Sequence, residues 1–224
     1  TPDQNMLTAS DTTYPVYIDP TWSTTTPGRG GWATVATKSS ESSVATQKYW
    51  NSTPDSAGRM QVGYATTDTY SIRSRSLMNF PIDTARLAGA TIASAQLSIT
   101  EVYAWSCTAT KVNLYSPGTT LTADNASWDY WDGVGLGSVT ASATVAYGYN
   151  SSCVAAGVGF DVLSGVNAAI NAGRTTQTFA LVADNESSTS GWKKFDPTSA
   201  VLNHTYNHPP ATPTDLNTSP ATTS

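Results

Sequence analysis

Apolar and polar side chains alternate along residues 91–107, T-I-A-S-A-Q-L-S-I-T-E-V-Y-A-W-S-C, and this stretch constrains the fold more than any other. The residues on the apolar side of the alternation are Ala95, Leu97, Ile99, Tyr103 and Trp105. Only Glu101 interrupts that side. A strand of this kind buries one face and exposes the other, which antiparallel sheets allow and all-parallel sheets do not. The stretch therefore predicts a central strand of an antiparallel sandwich, with Trp105 packed in the core.

Shorter strand patterns recur along the chain, with turn residues between them. They cover residues 14–18, 32–37, 60–65, 75–80, 110–115, 139–146, 158–162, 178–183 and 200–206. Residues 161–173 differ, because their apolar positions repeat at helical spacing, and they predict a helix of two to three turns. Residues 119–137 are interpreted as an aromatic and acidic loop. Together these patterns predict an all-β protein, a two-sheet antiparallel jelly-roll sandwich with one short helix.

Composition divides the chain into three parts. Residues 1–13 are a polar lead-in, residues 14–207 carry the predicted sandwich, and residues 208–224 are a Pro- and Thr-rich linker.

Charged residues make up only 12% of the chain and its net charge is −5. This balance argues against nucleic-acid binding, which needs clustered Lys and Arg. The chain contains no run of 18 apolar residues, so no membrane insertion is predicted.

Cys107 and Cys153 are the only two cysteines. A disulfide between them would stabilise the fold by about 4 kcal/mol on the chain-entropy model. The alternative is a pair of buried free thiols. A disulfide fits the low-charge composition, which is typical of secreted proteins, and we predict an extracellular, cell-wall-associated location.

Aromatic residues in the predicted loops are candidates for glycan binding, because exposed rings can stack on sugar rings. The candidates are Tyr49, Trp50, Trp128, Tyr130, Trp131 and Trp192. Lys193 and Lys194 are positioned beside Trp192 to meet an acidic sugar. The alternative is that these large aromatic side chains close the ends of the core.

Acidic residues in the same loop are candidates for metal binding. Asp124, Asn125, Asp129 and Asp132 offer oxygen ligands for a structural calcium ion, and the alternative is that they form ordinary Asx turns. No cofactor other than calcium is predicted. Both histidines lie near the C-terminus, and no two carboxylates are spaced as catalytic partners. We therefore predict that the protein is not an enzyme.

The order of the motifs resembles the DNRLRE-domain family, carbohydrate-binding-module-like sandwiches of secreted bacterial modular and RHS-type proteins. The matching pieces are R-S-L-M-N-F-P-I-D at 75–83, A-G-A-T-I-A-S-A-Q-L-S-I at 88–99, G-F-D-V at 159–162, F-A-L-V-A-D-N-E-S at 179–187 and W-K-K-F-D-P-T-S-A-V-L-N-H-T-Y-N at 192–207. The chain departs from the family at Pro81, where an acidic residue is usual. P-P-A-T-P-T-D-L at 209–216 resembles the start of a fibronectin type III domain.

The resemblance implies a non-catalytic module, and the loop aromatics favour a polysaccharide as its ligand. The leading hypothesis is an extracellular module that binds cell-wall or matrix polysaccharide. The alternative is a structural spacer of a large secreted surface or toxin-delivery protein, in contact with neighbouring domains and with no sugar ligand.

Overall fold

The computed structural model describes residues 9–10 and 22–209, so the predicted strand at 14–18 and most of the predicted linker lie outside the described residues. The strands are β1 (Ser23–Thr25), β2 (Trp32–Lys38), β3 (Met60–Thr66), β4 (Ser71–Pro81), β5 (Thr91–Ala104), β6 (Thr110–Tyr115), β7 (Val139–Val145), β8 (Ala156–Asp161), β9 (Thr176–Ala183) and β10 (Lys193–Asn207). The α-helices are α1 (Ser43–Thr46), α2 (Thr84–Leu87), α3 (Trp128–Val134) and α4 (Leu163–Asn171), and short 3₁₀ turns lie at Ala123–Asn125 and Thr189–Gly191.

The strands form two sheets in which every pairing is antiparallel. Sheet A has the order β3-β10-β5-β8, with β1 also paired to β10. Sheet B has the order β2-β4-β9-β6-β7. Among β3 to β10, neighbouring strands in each sheet come alternately from the first four and the last four strands of this series. The orders are 3-10-5-8 in sheet A and 4-9-6-7 in sheet B, as in a jelly roll. The predicted all-β sandwich is confirmed, and so is the predicted helix at α4. The prediction of a single helix is wrong, because α1, α2 and α3 are also present.

Strand β3 passes from one sheet to the other at Gly63. Residues before Gly63 pair with β10, and residues from Gly63 onward pair with β4. Gly63 has a φ of +103°, and a Cβ there would lie 2.6 Å from the carbonyl oxygen of Gly191. Only glycine tolerates both this backbone conformation and this close approach.

The main core lies between the two sheets. From β5, Ala95, Leu97 and Ile99 are buried in it, as the alternation predicts. Phe160 of β8 and Phe179 of β9 meet these residues from the two sheets. None of the described helices is long and apolar enough to cross a membrane.

A second apolar cluster covers the outer face of sheet B. Its strand residues are Ala33, Val35, Leu77, Ala180 and Val182, and its covering residues are Leu121, Ala126, Trp128, Trp131 and Leu136. The segment 119–137 is therefore not an open loop, because it forms a 3₁₀ turn and α3 and packs on the sheet. A strand buried on both faces reads as an unbroken apolar run, and F-A-L-V-A in β9 has that sequence.

Glu101 and Lys193 form a buried ion pair between β5 and β10. Their side chains are 0% and 1% exposed, and Lys193 Nζ lies 2.9 Å from Glu101 Oε1. Nζ also donates to the carbonyl oxygen of Val145 at 2.6 Å. Burial raises the pKa of Glu101, against the opposing effect of Lys193. Glu101 interrupts the apolar alternation because its partner is supplied by the last strand.

We expect the single variant Lys193→Met to lose about 3–5 kcal/mol of unfolding free energy, because it leaves the Glu101 carboxylate buried without a partner. The double variant Glu101→Leu/Lys193→Met should lose much less than the two single variants together, since it removes both charges. Urea unfolding of the native protein, Lys193→Met, Glu101→Leu and the double variant measures this coupling. Additive losses would show that the pair does not act as a unit.

Candidate functional site

Trp128 and Trp131 do not form an exposed platform for a sugar. Trp131 is 0% exposed and Trp128 is 8% exposed, because α3 turns both rings onto the apolar outer face of sheet B. Tyr130 lies on the other side of α3 and is 38% exposed, with its ring edge against Trp131. The predicted exposure of these aromatics is therefore wrong for Trp128 and Trp131 and correct for Tyr130.

Arg75 holds α3 against β4. Its Nε and Nη2 donate to Glu186 at 2.9 and 2.8 Å, and Nη1 donates to Asp132 at 3.1 Å. The guanidinium carbon lies 4.3 Å from the centre of the Trp128 ring. Burial lowers the pKa of Arg75, but the hydrogen bonds and charges of Glu186 and Asp132 outweigh it and raise this pKa above its ordinary value. Arg75 therefore covers one face of the Trp128 ring, and that face is unavailable to a ligand.

The remaining predicted aromatics are also largely enclosed. Tyr49 is buried, its hydroxyl donates to Gln47 Oε1 at 3.0 Å, and burial raises its pKa. The Trp50 ring is half-buried and lies on Gly31, where a Cβ would approach a ring carbon to 2.0 Å. Trp192 is buried beside the 3₁₀ turn that precedes β10. Of these three, Trp50 is the most exposed.

Neither predicted lysine is free for an acidic sugar. Lys193 is enclosed in the core with Glu101, so its predicted contact with a surface ligand is wrong. Lys194 is half-buried, and its Nζ lies 3.3 Å from Asp55 Oδ2. Both positive charges are therefore matched by carboxylates of the protein itself.

The four predicted calcium ligands are not assembled around one point. Asn125 caps the 3₁₀ turn, since its Oδ1 accepts from the Thr122 amide at 2.7 Å. Asp124 lies 3.9 Å from Lys48, and Asp132 is bound to Arg75. Within the part of the chain that the structure describes, no three His, Cys, Asp or Glu side chains are grouped to hold a metal ion. Calcium binding stays a prediction without a geometric basis in these residues.

The predicted disulfide is confirmed. It joins Cys107 to Cys153, whose Cα atoms are 5.8 Å apart. The bond connects the loop after β5 to the loop before β8. We call residues 105–109 and 146–155 together the stapled tip.

Backbone contacts fix the stapled tip further. Gly148 has a φ of +83°, and a Cβ there would lie 2.2 Å from the carbonyl carbon of Val102. The Gly148 amide donates to the Cys153 carbonyl at 2.8 Å. The Asn150 side chain accepts from the Ser152 amide at 2.8 Å. The loop at 146–155 is therefore closed by its own hydrogen bonds and packed against β5, as well as joined covalently to the loop at 105–109.

The stapled tip carries the aromatic surface that the predicted site lacks. Trp105 is 42% exposed, Tyr149 is 49% exposed and Val154 is 61% exposed. The alternation of β5 continues to Trp105 and predicts a position in the core, and that prediction is wrong. Strand β5 ends at Ala104, since the chain must leave the sheet to reach the disulfide. No local pattern in the sequence distinguishes this exposed ring from the buried positions of β5.

The histidines do not form part of this surface. His204 lies on β10, is buried against Tyr206, and has its pKa lowered by burial.

No known protein family matches the chain, and a search of curated proteins finds no significant similarity. The resemblance to DNRLRE domains and the start of a fibronectin-like domain stay predictions.

We expect the double variant Cys107→Ala/Cys153→Ala to lose about 4 kcal/mol of unfolding free energy, since the unfolded chain gains the entropy of an open loop. Urea unfolding measures the loss, with the oxidised and the reduced native protein as controls. The reduced native protein should match the double variant. If both are as stable as the oxidised protein, the contacts of Gly148 and Asn150 alone hold the tip.

Proposed function

We propose that the chain is a non-catalytic, extracellular carbohydrate-binding module whose glycan contacts lie on the stapled tip. The observation that carries the proposal is the exposure of Trp105 and Tyr149 on a covalently fixed tip. Exposed apolar surface on a protein marks an interaction site more often than a lone exposed residue does. Here two aromatic rings and Val154 are exposed in the same pair of joined loops.

Aromatic rings suit a sugar ligand for a physical reason. One face of a pyranose ring carries C–H groups, which pack on the face of Trp or Tyr, while the sugar hydroxyls hydrogen-bond to neighbouring polar groups. Exposed polar residues of the stapled tip, Thr108, Asn150, Ser151 and Ser152, supply such groups.

The disulfide supports the proposal in two ways. First, it orders the tip before any ligand arrives, so that less conformational entropy is lost on binding. Second, disulfides persist in oxidising compartments, which supports secretion and an association with a cell wall or matrix. The bacterial, modular context implied by the resemblance to DNRLRE domains agrees with that location.

The second candidate function is a structural spacer that packs against neighbouring domains of the same polypeptide. The burial of Trp128, Trp131 and Trp192 favours it, because these side chains stabilise the fold and contribute no binding surface. In this case the apolar surface of the stapled tip would be covered by an adjacent domain.

The test measures binding of the chain to a panel of cell-wall and matrix polysaccharides by affinity gel electrophoresis. We expect Trp105→Ala to weaken binding by about tenfold, equivalent to about 1.4 kcal/mol, which is of the order expected for one aromatic contact. Tyr149→Ala should weaken it to a similar extent.

Trp22→Ala is the matched control. Trp22 is 50% exposed but adjoins β1, away from the stapled tip, so its replacement should leave affinity unchanged. Acrylamide should quench the fluorescence of the native protein more than that of Trp105→Ala, which shows that Trp105 is accessible. If it does so and no polysaccharide binds the native protein, the carbohydrate proposal is wrong and the spacer function is favoured.

A further inference from the structure

We infer that the stapled tip binds an uncharged glycan, an inference that rests on the proposed function and specifies its ligand class. The basis is the distribution of charge around Trp105 and Tyr149. Residues 102–110 and 133–160 include both loops of the tip and the strand residues beside them. They contain no Asp, Glu, Lys, Arg or His.

The two charges that flank residues 105–109 of the tip in sequence, Glu101 and Lys111, are already neutralised. Glu101 is buried with Lys193 at 2.9 Å. Lys111 lies 2.8 Å from Asp184. A ligand at the tip therefore meets no charge on the tip itself and only paired charges at its base.

Basic residues elsewhere do not supply a cation to the tip. Lys194 lies 6.0 Å from the centre of the Tyr103 ring, but Asp55 neutralises it. Among the described residues, the basic side chains without a carboxylate within salt-bridge distance are Arg29, Arg73 and Arg174. None of these three lies in the tip or in the strand residues next to it.

This charge distribution disfavours an acidic glycan. A uronate or sulfate group that docks on the tip loses part of its hydration and gains no cation in return. The net charge of −5 also repels a polyanion at long range. A neutral glycan has neither cost, because ring stacking and hydroxyl hydrogen bonds are the interactions that the tip offers.

The test compares neutral polysaccharides, such as β-glucan and galactan, with acidic ones, such as polygalacturonate and alginate. A matched pair is polygalacturonate and the galactan obtained by reducing its carboxyl groups. Affinities are measured at about 0.01 M and about 1 M NaCl, between which the Debye length falls from about 30 Å to about 3 Å. We expect neutral ligands to bind with an affinity that changes by less than about twofold over this range. Acidic ligands should not bind.

Two variants sharpen the comparison. Lys194→Ala should leave neutral binding unchanged, since this lysine does not serve the ligand. Thr108→Lys places a cation on an exposed position of the tip, three residues from Trp105. It should add salt-sensitive binding of acidic glycans.

The outcomes distinguish a failure of the inference alone from a failure of the proposed function. Binding of acidic glycans to the native protein, weakened by salt, overturns the inference and leaves carbohydrate binding standing. Neutral binding that survives Trp105→Ala overturns both the inference and the proposed position of the site on the tip, because the ligand then lies elsewhere. Binding of neither class contradicts the proposed function, and the inference falls with it.

Discussion

The antiparallel pairing of β5 with β10 holds this molecule together. It runs along almost the whole of both strands, from the Thr91–Asn207 pair to the Ala104–Lys193 pair, with bulges on the way. Near its end the strands contribute Glu101 and Lys193, a buried pair that requires both partners. Because β5 continues beyond that pair into Trp105 and Cys107, the same pairing also positions the base of the stapled tip.

The two outer faces of the sandwich differ in polarity and in what covers them. The outer face of sheet A carries small and polar residues such as Gln96, Ser98 and Thr205 and stays in contact with water. The outer face of sheet B is apolar and is covered by α3 and the segment before it. This cover requires large apolar side chains, and Trp128 and Trp131 supply them. Aromatic residues committed to such a cover stabilise the fold and leave binding to other parts of the surface.

The disulfide allows the chain to expose rings without losing order. Loops that carry exposed aromatic residues would otherwise be mobile, since they bury little apolar area to offset their conformational entropy. The disulfide joins the two loops, and the close contact between Gly148 and Val102 packs the second loop against β5. The neutral character of this surface follows from the same sequence segments, because the strand residues nearest to it, 102–104, 110, 139–145 and 156–160, also lack charge.

The sequence by itself determined the strands from β2 to β10 and the helix at α4, and it favoured the disulfide over two free thiols. Alternation and helical spacing are local, and two cysteines in a secreted-type composition leave one natural pairing. The tertiary structure decided which aromatic residues are buried. Trp131 and Trp105 both lie next to polar residues, yet one faces the apolar surface of sheet B and the other faces solvent. It also decided that Lys193 pairs with Glu101 across 92 positions of the chain. Burial and pairing of this kind depend on segments distant in sequence, and no local pattern specifies which distant segment a side chain will meet.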